Sequence, residues 1–142
     1  LCPHDTIRVM ESVLPPVALV ILCGTSGSGK STFARSRFAD TEILSSDRCR
    51  AMVLDDEASQ SANDDAFSLL HHWLDLRLKN RRLCVVDSTA LKPSAREPLL
   101  AAARRHQVPV VVLAFDIPED ECVRRDAARA RRQVGARVVA RQ

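Results

Sequence analysis

The chain has 142 residues, of which 46% are hydrophobic and 27% charged, and carries a formal net charge of +3. These values fit a single globular domain and exclude disordered, collagen-like and low-complexity classes. No apolar run reaches the roughly 18 residues of a membrane span, and no charged start followed by an apolar core marks a signal peptide.

Residues 1 to 16 read as a lead-in broken by Pro3, Pro15 and Pro16. Val17 to Cys23 is a continuous apolar run, the pattern of a central parallel strand. Gly24 to Gly29 is a glycine-serine loop, and Lys30 to Phe38 reads as a helix. Glu42 to Ser46 is a short second strand. Asp64 to Lys79 shows helical periodicity through Phe67, Leu70, Trp73 or Leu74, and Leu78. Leu83 to Val86 is a third strand that ends at Asp87. Ser94 to His106 reads as a helix, with Pro93 and Pro98 tolerable only near its start. Val108 to Phe115 is a fourth strand, and Pro118 opens a last helical segment. This alternation predicts an α/β fold, a parallel sheet flanked by helices on both faces.

The chemistry starts at Gly24-Thr25-Ser26-Gly27-Ser28-Gly29-Lys30-Ser31. It fits the phosphate-binding pattern GxxxxGK[ST] at every fixed position, between a strand and a helix. Glycines let successive N–H groups turn inward around phosphate oxygens, and the helix N-terminus adds partial positive charge. Lys30 is placed to reach the β- and γ-phosphates of ATP, and Ser31 to ligate Mg²⁺. Asp87, at the end of an apolar strand, sits where a carboxylate meets the magnesium, directly or through water. A plain turn aspartate is the alternative.

Ser45-Ser46-Asp47-Arg48-Cys49-Arg50 follows the second strand. Ligands bind at the C-terminal edge of open parallel sheets, so Asp47 is placed to accept a proton from an attacking hydroxyl. The alternative has Asp47 capping a helix and Arg50 pairing with it. Between Cys122 and Gln142 lie seven Arg and one acid, Asp126. Arg125, Arg129 and Arg132 share one helical face if the segment is helical. Such a set either stabilises charge on a transferring phosphoryl group or forms a solvated basic face.

The remaining residues are read as structural. Five cysteines (Cys2, Cys23, Cys49, Cys84 and Cys122) form no CxxC pair, which points to a reducing compartment and a cytoplasmic location. Cys23 and Cys84 lie in apolar runs as small buried hydrophobes. Trp73 reads as core packing with Leu70 and Leu74. His71 and His72 are adjacent, point apart on a helix and make a poor metal pair.

Gly24 to Thr32, Ser45-Ser46-Asp47 with Arg50, Val85-Val86-Asp87-Ser88-Thr89 and Arg125 to Val134 together resemble the kinase module of bacterial polynucleotide kinase-phosphatase, an RNA end-healing and sealing enzyme. The resemblance covers nearly all of residues 17 to 142. It implies a P-loop kinase with strand order 2-3-1-4, an Arg-rich lid, and transfer of the ATP γ-phosphate to a 5′-hydroxyl end of RNA or DNA. By that resemblance Lys30, Ser31 and Thr32 hold the ATP phosphates and Mg²⁺ together with the loop from Gly24 to Gly29. Asp47 is the general base, and Arg50 contacts the phosphate next to the terminal nucleoside. Arg125 and Arg132 belong to the lid. The partners it implies are nucleic acid with a 5′-hydroxyl end and attached phosphatase and ligase modules. The family tends to carry Asn where this chain has Ala90, and Ala where it has Ser88. A module of this kind continues into another helix and a fifth strand. Residues 1 to 142 are therefore expected to be one truncated kinase domain of a longer enzyme, with the edge beside the fourth strand uncovered. A kinase for small metabolites and a nucleotide-dependent switch remain the rival readings.

Overall fold

The computed structural model describes residues 14–25, 27–88 and 92–115. Strands β1 (Leu19–Cys23), β2 (Ile43–Ser45), β3 (Cys84–Asp87) and β4 (Val110–Ala114) form one sheet in the order β2-β3-β1-β4. All three pairings are parallel, and the expected strand order holds. Every residue of β1 is buried, as a central strand with both faces covered requires.

Its alternate residues serve two cores. Leu19, Ile21 and Cys23 pack with Leu44, Cys84 and Val86 against one layer of helices. Val20 and Leu22 pack with Ile43 and Val85 against Ala34, Phe33 and Phe38. The second layer belongs to helix α1 (Lys30–Arg37). The first is built by α2 (Ser46–Leu54), α3 (Asn63–Lys79) and α4 (Pro93–Arg105). Helices therefore cover both faces, as the alternation of elements predicts.

The buried stripe of α3 is Ala66, Leu70, Leu74 and Leu78, four residues apart along one face. Each leucine is at most 1% exposed, which contributes on the order of 2 kcal/mol apiece. Phe67, expected on this stripe, lies beside it, and Trp73 packs partly buried against the core. Cys23, Cys49 and Cys84 are buried free thiols. Burial pushes the Cys49 and Cys84 thiols up, which keeps them protonated and inert.

Most boundaries shift by one or two residues, and some do so for identifiable local reasons. Ser46 opens α2 instead of ending β2, because the Ser45 side chain accepts the N–H of Arg48 at 3.3 Å and caps the helix. The helix stops at Asp55, whose φ of 57° is left-handed. In α4, Pro93 occupies the first turn, yet the helix also runs through Pro98. Pro98 and Ser94 are both exposed, so water can take the carbonyl that the proline leaves unpaired.

At the end of the sheet away from the glycine loop, Asp75 of α3 joins α4. Arg105 donates to its Oδ1 at 2.7 Å, and His106 Nε2 lies 2.8 Å from the same oxygen. These hydrogen bonds, Arg105's first, hold the Asp75 carboxyl below its ordinary value.

Candidate active site

The glycine loop connects the buried end of β1 to α1. Gly27 and Gly29 have φ of 84° and 96°, conformations that side chains rarely adopt. Gly24 is constrained by space. A Cβ there would stand 2.7 Å from Ser28 Oγ and 3.1 Å from the Phe115 carbonyl oxygen. The close neighbour is fixed, since the Phe115 N–H donates to Cys23 O at 2.7 Å.

Lys30 is 6% exposed and curls over this loop. Its Nζ donates to Gly24 O at 2.5 Å, Thr25 O at 2.9 Å and Ser28 Oγ at 3.4 Å. The ammonium therefore lies against the turn that the phosphate pattern assigns to an anion. The next residue reaches across the sheet. Ser31 Oγ donates to Asp87 Oδ2 at 2.6 Å, linking the first turn of α1 to the last residue of β3. A hydroxyl and a carboxylate are hard oxygen donors, and Mg²⁺ sites use one or two such groups alongside substrate phosphates and water. The residues present thus fit the ion. Among the described residues, no cluster of three or more His, Cys, Asp or Glu could hold a metal by itself.

The second group stands beside the first. Ser45, the last residue of β2, is in register with Asp87, and Asp87 with Leu22 of β1. Asp47 follows in the first turn of α2. Arg50 Nη1 donates to Asp47 Oδ1 at 2.6 Å, the i, i+3 pairing expected on a helix. The Asp47 side chain is 22% exposed and that of Arg50 only 9%. Arg50 Nε also donates to Asn63 Oδ1 at 2.7 Å, and its guanidinium carbon lies 6.0 Å from the centroid of the Phe67 ring. Both partners belong to the start of α3. The cap of α2 is Ser45, so Asp47 is not the capping residue that one reading had made it.

A family model described as an AAA domain matches residues 19–142. The chain belongs to this AAA-domain family. The AAA-domain chain has the P-loop kinase fold, and solved structures share it. A chain of the Pnkp1/Rnl/Hen1 RNA repair complex superposes with a TM-score of 0.73 at 23% identity, covering 92% of this chain and 44% of that one. A second structure of the Pnkp1/Rnl/Hen1 complex gives 0.65 at 28% identity, covering 78% and 40%. The Mycobacterium tuberculosis APS kinase CysC, in complex with AMPPNP and APS, gives 0.59 at 22% identity, covering 80% and 71%. The chain thus spans less than half the length of the repair-complex chains that it matches. The search of curated proteins returned no match. The family resemblance read from the motifs holds at the level of this fold.

Within the AAA-domain chain, the structure brings Gly24, Thr25, Gly27, Ser28, Gly29, Lys30, Ser31 and Asp87 together at one end of β1 and β3. Thr32 is exposed in the first turn of α1. Ser26, Arg125, Arg132, Ala90 and the expected Arg-rich lid lie outside the described residues, as do any elements after Phe115. Among the described residues, His71 and His72 join no group of three or more potential metal ligands, and burial lowers the His71 imidazole below its ordinary value. Asn63 and Phe67 are site neighbours that sequence reading missed. Their spacing of four residues places them on one face of α3, but nothing local to the sequence turns that face toward Arg50. No helix among the described residues is long and apolar enough to cross a membrane.

Proposed function

We propose that the chain is an ATP-dependent polynucleotide 5′-hydroxyl kinase that acts on RNA ends. The observation that carries this reading is the Asp47–Arg50 pair beside the Ser31–Asp87 pair, on adjacent strand ends of a P-loop kinase fold. One pair serves the donor and the other the acceptor. The likeness to chains of an RNA repair complex supports a polynucleotide acceptor.

The acceptor hydroxyl attacks the γ-phosphorus in line. Its oxygen forms the new P–O bond while the bond to the β–γ bridging oxygen breaks, and ADP leaves. Asp47 takes the hydroxyl proton. Arg50 holds the Asp47 carboxylate in place and presents positive charge toward the acceptor strand. Lys30 exchanges its loop carbonyls for phosphate oxygens and stabilises charge on them. Ser31 and Asp87 would hold Mg²⁺, which supplies Lewis-acid charge to the donor phosphates when bound. Arg125 and Arg132 complete the donor side as lid arginines. The attached phosphatase and ligase modules, the single-domain boundary and a cytoplasmic setting belong to the same reading.

A small acceptor is the second reading. It is favoured by the likeness to APS kinase and by exposed Asp55 and Asp56 after α2 and Asp64 and Asp65 in the first turn of α3, which repel a polyanion. The deciding experiment follows labelled γ-phosphate from ATP with Mg²⁺. Acceptors are a 5′-hydroxyl RNA oligomer, its DNA counterpart and a panel of sugars, nucleosides and adenylyl sulfate. Label on RNA ends, lost in Asp47→Asn, is the expected result. Label on a small acceptor alone overturns the polynucleotide assignment.

A further inference from the structure

We propose that Asn63 is a positioning residue for the acceptor half of the site, acting through Arg50 on Asp47. This rests on the functional reading above and extends it to the helix that supports the general base.

Arg50 is held on three sides. Its Nη1 meets Asp47 Oδ1 at 2.6 Å, its Nε meets Asn63 Oδ1 at 2.7 Å, and its guanidinium carbon lies over the Phe67 ring, 6.0 Å from the centroid. A guanidinium is planar, so contacts at two different nitrogens fix its rotation within the plane. The Phe67 ring, at the outer limit of cation–π distance, adds an aromatic neighbour to the same guanidinium. Arg50 offers only donors, so Asn63 must turn its oxygen toward it. The Asn63 amide nitrogen then faces the other way and donates to Gln60 Oε1 at 3.2 Å. That second bond sets the orientation of the amide from the loop side. The chain of support therefore runs Gln60, Asn63, Arg50, Asp47.

Asn63 and Phe67 are i and i+4 on α3, so one helical face provides both contacts. Asp47 and Arg50 lie on α2. The carboxylate that takes the proton is thus aimed from a different helix than its own. Asp47 remains 22% exposed, open enough to meet an acceptor, while the Arg50 side chain behind it is only 9% exposed. Freed from Asn63, Arg50 keeps its charge but loses an in-plane anchor at Nε. The base then samples orientations away from the attacking hydroxyl. A misplacement of about 1 Å can cost on the order of a hundredfold in rate.

The test compares Asn63→Ala with Asn63→Asp in the full-length protein, using ATP and the 5′-hydroxyl RNA oligomer. Asn63→Ala is expected to lower kcat by about tenfold or more, with the KM for ATP unchanged. Asn63→Asp keeps an oxygen acceptor for Arg50 Nε and should recover most of that loss. Arg50→Lys removes the Nε anchor from the other side, so adding Asn63→Ala to it should cost little more. An Asn63→Ala kcat within about twofold of the parent overturns the proposal. So does equal impairment of the Ala and Asp variants, or a KM for ATP that rises in step with the loss of kcat. Should Asn63→Ala fail to fold, Asn63→Leu keeps the volume without the acceptor. Unfolding of both beside a folded Asp variant marks a purely structural role and also overturns it. Asp47→Asn runs in parallel. If it transfers phosphate normally, the functional reading itself has failed, and not merely the part given to Asn63.

Discussion

Ser31 Oγ and Asp87 Oδ2 meet at 2.6 Å across 56 residues of sequence. The contact ties the first turn of α1 to the end of β3. On the proposed reading both oxygens turn toward Mg²⁺ when nucleotide binds. Asp87→Asn should raise the Mg²⁺ concentration for half-maximal phosphoryl transfer by about tenfold or more. A metal titration at saturating ATP checks this, and an unshifted curve would assign Asp87 to structure alone.

Lys30 is stored against its own loop, with its ammonium on Gly24 O, Thr25 O and Ser28 Oγ. Lys30→Met removes the charge and keeps most of the stem. On the proposed reading the ammonium meets the charge of the transferring phosphoryl group, so transfer should fall by roughly a hundredfold or more. Far-UV circular dichroism should stay that of the parent. Equal transfer by the two proteins would remove Lys30 from the mechanism.

Gly24 has no room for a methyl group beside Ser28 Oγ and the Phe115 carbonyl. Gly24→Ala must turn Ser28 Oγ aside and shift the Phe115 main chain, just after β4, by a few tenths of an ångström. Overpacking of this kind costs about 1–3 kcal/mol, readable as a lower urea midpoint. A midpoint equal to the parent's would mean that the loop gives way freely.

Asp75 supplies a pH dependence of stability. Arg105 and His106 hold its folded-state carboxyl below the ordinary 3.8. A depressed folded value stabilises the fold above the unfolded value, and the benefit is lost as pH falls toward the folded one. Asp75→Asn should therefore melt below the parent near neutral pH, with the gap closing under acid. Melting curves at pH 7 and at stepwise lower pH check the sign. A gap that widened on acidification would contradict it.

The legible parts of this chain were those where apolar periodicity and glycine chemistry coincide. β1 is apolar throughout because both its faces are covered, and α3 shows its stripe because three leucines occupy it. The loop was legible because Gly27 and Gly29 adopt conformations that other residues avoid. Helix α2 was not fully legible for an opposite reason. Its buried face is Ser46, Cys49 and Arg50, whereas Met52 and Leu54 are 63% and 51% exposed. A hydrophobic pattern is silent when a helix buries an arginine and exposes its apolar residues. The pairing of Arg50 with Asp47 followed from spacing. Its tie to Asn63 is a tertiary contact across 13 positions, which no local rule reports.

The parallel ladder leaves Ser45, Asp87 and Leu22 abreast, with α1 on one side of the sheet and α2 with α3 on the other. Main-chain hydrogen bonds, which side-chain replacement leaves in place, keep these strand ends level. A lineage built on this frame is therefore free to rewrite the α2–α3 side without disturbing the glycine loop. On the proposed reading, new acceptors can arise by editing that flank while inheritance preserves the other.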